Sequence, residues 1–354
     1  MRRPEIARWR MVNQRLWGPA LPGPEEVLRR LGAMQSQEFA VAKWSVAQRA
    51  DGVTEQAMAR EFANGTILRT HVLRPTWHFV LAKDIRWMLE LTAPRINALN
   101  AYYYRKFGLD EDVFAKTNGI FERVLSGDRH LTRTELAAEL ERAGIEASGL
   151  QLGYILMRAE IDAVLCSGAP SGRQQTYALL AERVPKTRHV AREKALADLT
   201  LRYFSSRGPA TLKDFVQWSS LTAADGKAGL AMVRSELDST VVDGRTYWYP
   251  PDLPEADRSG PVIDLVQGYD EVVMSYSESK DVLHGTGGAL GDTPLLHAIL
   301  LDGQVIGHWK PVHKSRSVQV QTQWYRKLSA AERTAFTAAL DRFADYHGVT
   351  AAAD

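Results

Sequence analysis

Cysteine is almost absent from this 354-residue chain, which contains only Cys166. One thiol excludes an internal disulfide framework and any zinc or iron–sulfur centre made of several cysteines. The nine histidines include no i, i+4 pair, so no helix face offers two imidazoles to a metal. No run of about 18 apolar residues occurs, and no segment is predicted to span a bilayer. The basic N-terminal stretch MRRPEIARWRMVNQRL lacks an apolar core and reads as a first domain helix, not a secretory leader. A cytoplasmic location is expected. P-loop, HExxH and GxSxG patterns are missing too, and neither cofactor nor metal is expected. The glycine-rich HGTGGALGD (residues 284–292) precedes strand-like residues, not a helix, and reads as a loop, not a phosphate cradle.

Acidic side chains are missing from residues 303–331, where Lys310, Lys314, Arg316, Arg326 and Lys327 fall with two histidines. A second basic stretch runs from Arg183 to Lys194. Such runs either track phosphates or form a solvated face. With a net charge of only +2, the chain as a whole is not strongly basic. Its composition, 45% hydrophobic and 24% charged, is that of a folded protein long enough for several cores.

An α+β fold is predicted, with tandem winged helix-turn-helix domains followed by a small C-terminal β-rich, barrel-like domain. The boundaries read as 1–110, 111–187, 188–252 and 253–354. The third winged helix is the clearest. A helix with Ala195, Leu199 and Tyr203 four apart stops at Gly208-Pro209. Thr211 then caps LKDFVQWSSL, and Asp243-Gly244 sits between β-rich flanks as a tight hairpin. In the second copy Thr132 or Thr134 starts a helix that Gly144 stops, and SGAPSGRQQTYALL forms the wing. In the first copy two helices lead into ILRTHVLRPTWHFVLA, which reads as one extended strand. Beyond Pro250-Pro251, Asp302-Gly303 marks another hairpin and a helix over SAAERTAFTAALDRFADYHG closes the domain.

Within LGAMQSQEFAVAKW (residues 31–44), Gln35 and Gln37 stand between two apolar runs. Glutamine is neither acid, base nor nucleophile. On a continuing helix the two amides would lie about 200° apart and could not share a site. They share a face only if the helix from Pro24 ends near Met34 and QSQ is extended. Alone, the pair fits a solvated turn as well as a reactive one.

GAMQSQ…W (Gly32 to Trp44), LRPTWHFV (Leu73 to Val80) with WMLELTAPR after it, GYDEVVMSY (Gly268 to Tyr276) and LDGQVIGHWK (Leu301 to Lys310) give the context. With these segments the chain resembles the winged-helix DNA glycosylases of the AlkZ and YcaQ type. The resemblance implies winged helices and a β domain around a DNA channel. It implies excision of N7-alkylated guanine, with unhooking of interstrand crosslinks, in DNA repair or in self-resistance to a DNA-alkylating natural product. The family motif is glutamine, an aliphatic residue, then glutamine or aspartate. Gln35 and Gln37 match its outer positions and are implied to be catalytic; Ser36 departs from the middle one.

Such a motif suits a substrate that is already activated. N7-alkylguanine carries a positive charge, so its glycosidic bond is weak and no general acid is required. What remains is to hold water near C1′ and to stabilise an oxocarbenium-like centre, which fixed amide dipoles can do. The motif offers no lysine nucleophile, so a monofunctional enzyme without a lyase step is expected. Arg69, His71, Arg74, Trp77 and His78 are candidate contacts to double-stranded DNA, as are Lys314 and Arg316. A monomer is expected. The rival readings are a winged-helix transcriptional regulator and a drug-sequestering resistance protein. The regulator is weakened by LKDFVQWSSLT, which offers only Lys213, Gln217 and hydroxyls as a recognition helix.

Overall fold

Helix starts fall where short polar side chains can cap them. The computed structural model describes residues 2–172, 174–186, 188–252, 260–284, 297–314 and 317–353. Thr132, Thr222 and Ser329 each close a capping box with the acidic residue three positions on. Thr211 and Asp214 exchange the same pair of bonds (Asp214 N to Thr211 Oγ1, 3.2 Å; Thr211 N to Asp214 Oδ2, 2.9 Å). The result is an α+β protein, as expected, whose chain divides into two compact units.

One unit comprises Met1–Met58, Ala197–Trp218 and Thr222–Asp354. Its largest sheet has five strands in the order Thr350–Ala353, Ser317–Trp324, Gln304–His313, His297–Leu301 and Ile263–Val266. All neighbours run antiparallel except the first pair, which the helix Ala330–His347 joins by a parallel crossover. That helix buries Phe343 against Trp44 and Trp309, edge to face with centroids 5.3 and 5.1 Å apart. A second hydrophobic group, from Met11 and Trp17 to Val266, Val272 and Leu300, ties the first helix to the same sheet.

The Asp302-Gly303 hairpin is present, with both residues at positive φ (50° and 79°) and Leu301 paired to Gln304. Asp243-Gly244 does the same between Val242 and Arg245 (φ 50° and 75°). Left-handed backbone at both turn positions matches the strand twist, and Asp-Gly supplies it at least cost. This hairpin follows three helices, Arg192–Arg207, Leu212–Ser219 and Ala223–Val233.

The other unit comprises Ala59–Leu196 and Ser219–Leu221. Its helices Glu111–Leu125, Arg133–Arg142 and Gly149–Ile161 enclose a core that includes Phe114, Phe121, Leu136, Leu140 and Leu156. The antiparallel strands Leu165–Ser167 and Thr176–Leu179 follow them. One expectation is corrected here. Residues 67–81 are not one strand but a hairpin of Ile67–His71 and Trp77–Leu81. Leu73 takes a positive φ of 64° and Pro75 has no N–H for a ladder, so the chain reverses between them. Residues 285–292 of the glycine-rich segment lie outside the described residues.

Candidate active site

The helix Pro24–Leu31 ends ahead of Met34, the point by which it must stop if Gln35 and Gln37 are to share a face. Gly32 follows at φ 75°, its N–H bonded to Leu28 O at 2.7 Å. Ala33–Gln35 is then extended, and the next helix starts only at Phe39. Gln35 and Gln37 therefore leave a non-helical backbone two residues apart, as a shared face demands. Gln35 is 3% exposed and Ser36 fully buried, whereas Gln37 reaches the surface. A serine at the middle position can be held inside this turn in place of an aliphatic side chain. Burial also pushes the carboxyl of the adjacent Glu38 above its ordinary range.

Neighbouring carboxylates form two fully buried ion pairs, and the second of them bonds this turn. Asp270 accepts from both arms of Arg49, at 2.6 Å (Nη2 to Oδ1) and 2.9 Å (Nη1 to Oδ2). Arg49 also donates to Gln14 O at 2.9 Å. Glu271 binds Arg207, with Oε2 accepting from Nη2 at 2.7 Å and from Nε at 3.0 Å. The same oxygen accepts from Trp218 Nε1 (2.9 Å) and Ser275 Oγ (2.7 Å), and Oε1 takes the Gln35 N–H at 2.8 Å. Arg207 also donates to Leu31 O and Ala33 O, both at 2.7 Å, and to Ser206 Oγ and Ser275 Oγ, both at 2.9 Å. Gln267 Nε2 reaches Gln35 O at 3.3 Å. Charges so deeply buried persist only when this well bonded.

The hairpin of the other unit gathers some of the candidate DNA contacts and separates others. Arg69 and His71 share a face with Trp77: the Arg69 guanidinium lies 4.2 Å from the indole centroid and the His71 ring 4.5 Å. His71 Nδ1 is bonded to Glu160, and both side chains are buried. Burial lowers the Arg69 guanidinium to about 10, against the pull of Glu160. His78 lies on the opposite face, fully buried, with Arg74 Nη2 3.3 Å from its Nε2. Arg74 and Trp77 are half-buried. Lys314 is exposed where the strand Gln304–His313 turns, its N–H donating to Ser317 O at 2.8 Å. Arg316 lies outside the described residues.

Comparison with known proteins supplies the family. The family described as DNA glycosylase AlkZ-like matches residues 28–346, nearly the whole chain and all of the two-glutamine turn. The chain belongs to the AlkZ-like DNA glycosylase family. A curated relative, the interstrand DNA cross-link repair glycosylase of Streptomyces sahachiroi, is 24% identical over 334 residues, covering 87% of each chain. The solved structure of Streptomyces sahachiroi DNA glycosylase AlkZ superposes with a TM-score of 0.80 at 22% identity, covering all of both chains. At that identity the superposition establishes the shared fold.

In this AlkZ-like chain no helix among the described residues is long and apolar enough to cross a membrane. No group of three or more metal-ligating side chains occurs among them either. What the sequence concealed is the support for the turn. Arg207 lies 176 positions from Leu31 and Glu271 lies 236 from Gln35, and no local pattern connects them. The adjacent acids Asp270-Glu271 carry no local sign of their partners Arg49 and Arg207.

Proposed function

We propose that this glycosylase hydrolyses the N-glycosidic bond of cationic N7-alkylguanine in double-stranded DNA, with Gln35 and Gln37 as its catalytic residues. The observation that carries the reading is the interruption of the helix at Gly32, which leaves the two amides on non-helical backbone two residues apart. Their carbonyl dipoles orient a water toward C1′ and stabilise positive charge on the sugar as the bond to N9 breaks. The bonding electrons neutralise the N7 cation, so the base departs without a proton from the enzyme. Water oxygen bonds to C1′ and its proton passes to solvent. Buried Gln35 is the rigid dipole; surface Gln37 is the one that meets water and the lesion.

The product is an abasic site, without a lyase step. Lys43, the amine nearest the turn in sequence, is held by Glu55 at 2.9 Å, which supports that assignment. Arg69, His71, Arg74, Trp77, His78, Lys314 and Arg316 form the proposed DNA contacts. Half-buried Arg74 and Trp77 and exposed Lys314 meet the duplex, and the buried imidazoles orient their neighbours. The four-domain division, with three winged helices and a β-rich domain, belongs to the same reading, as does a monomer working in the cytoplasm. The description of the Streptomyces sahachiroi relative as a cross-link repair enzyme supports interstrand crosslinks as further substrates. A role in DNA repair or in self-resistance to an alkylating natural product follows.

The test is a duplex oligonucleotide with one N7-methylguanine, incubated with protein and then treated with mild alkali to reveal abasic sites. After incubation with wild type the alkali cleaves the lesion strand, whereas base release by the Gln35→Ala, Gln37→Ala double variant falls by at least about 100-fold. Undiminished release by the double variant would remove both residues from the mechanism.

A further inference from the structure

We infer that Arg207 and Glu271 are positioning residues for base excision, a buried ion pair that keeps the catalytic turn from becoming helix. The inference rests on Gln35 and Gln37 being catalytic. An α-helix continues by donating each N–H to the carbonyl four residues back. To extend Pro24–Leu31 by one turn, Gln35 N–H would bond to Leu31 O, and Gln37 N–H to Ala33 O. The ion pair occupies three of these four groups. Arg207 Nη1 takes Leu31 O and Nη2 takes Ala33 O, while Glu271 Oε1 takes Gln35 N–H. Donor and acceptor of one helical bond are thus held apart by a guanidinium and a carboxylate that are bonded to each other.

The consequence for catalysis is geometric. With those groups released, the helix can propagate through Gln37, which turns the two amides about 200° apart. A pair with both members fully buried is weak evidence for stability, since apolar residues of similar volume often do as well. It is well suited to specifying one backbone path. Arg207 suits the task because its planar fork reaches two carbonyls and a carboxylate at once, which a lysine ammonium does not. Trp218 and Ser275 fill the remaining acceptor positions of Glu271 Oε2 and hold the carboxylate in register. The Arg207 guanidinium also stacks 4.4 Å from the Trp218 indole centroid.

The experiment compares wild type with Arg207→Lys, Glu271→Gln and the Arg207→Met, Glu271→Met double variant. The double variant removes both charges at similar volume and keeps the protein folded if either single change does not. Asp270→Asn is the control, because it breaks the equally buried Arg49–Asp270 pair, which takes no backbone group of residues 31–37. Single-turnover release of N7-methylguanine, duplex affinity, and amide exchange of the peptide spanning residues 31–37 are measured together. The Arg207 and Glu271 variants are expected to lose about ten-fold or more in release rate with duplex affinity within about two-fold. Exchange over 31–37 changes by about ten-fold in the same proteins. Asp270→Asn stays within about three-fold of wild type in rate. Unchanged release, unchanged exchange, affinity falling in step with rate, or an equal loss in Asp270→Asn each overturns the inference. Failure of wild type to release the base is seen without any variant and marks failure of the substrate assignment; the exchange arm then still reads the clamp.

Discussion

His297 gives the account a quantitative test through acid stability. It starts the strand His297–Leu301, is 4% exposed, and its Nδ1 accepts the Gly268 N–H at 3.2 Å. That bond requires an unprotonated Nδ1 and secures the loop that leads into Asp270 and Glu271. Burial lowers the imidazole from 6.5 to about 4. The sign follows from linkage: below pH 6.5 the unfolded chain binds a proton that the folded chain refuses until about pH 4. Stability is therefore intact above that window and lost as pH falls through it. A shift from 6.5 to about 4 amounts to ~3 kcal/mol at pH 4, an upper figure. His297→Asn keeps an acceptor near the Nδ1 position and does not titrate. Urea unfolding followed by tryptophan fluorescence from pH 7 down to pH 4 should show wild type losing ~3 kcal/mol more than the variant. Neighbouring His308, also held below its ordinary range by burial, titrates in both proteins and cancels. Parallel loss in the two proteins would refute the reasoning.

Gly208→Ala should destabilise by on the order of 1–3 kcal/mol, read as a lower urea midpoint. An added Cβ would lie 2.5 Å from Phe204 O and 2.7 Å from Trp248 O, both backbone atoms that no rotamer change can move. A midpoint equal to wild type would contradict that packing. Cys166 is buried, and desolvation raises its thiol to about 12, so it should resist alkylation at pH 8 until denaturant is added. Full labelling of the native protein within minutes would show that the core around it opens.

Hairpins with local chemistry were legible in advance. Asp243-Gly244 and Asp302-Gly303 announce themselves because the turn geometry depends on two residues alone. For the helix from Pro24 the sequence supplied only a condition, an end near Met34 if the two amides were to share a face, and the helix ends at Leu31. The hairpin over 67–81 was hidden because its turn uses Leu73, a residue type that seldom takes positive φ. Pro94 inside the 25-residue helix Ala82–Lys106 likewise escapes a local rule that would end a helix there. The strand Thr350–Ala353 was missed because Thr-Ala-Ala-Ala has little β preference and gains its place only by pairing with Ser317–Val320. The two glutamines were found through their spacing and their family motif. Their braces, Arg207, Glu271 and Gln267, are joined to them only by the folded chain.

The central claim is that the substrate's own positive charge replaces a catalytic acid. It is tested most directly by two duplexes matched in shape but not in charge, one with N7-methylguanine and one with its neutral isostere 7-methyl-7-deazaguanine. Wild type should release the cationic base in single-turnover assays and leave the neutral one at background. Comparable rates on the two would contradict the account.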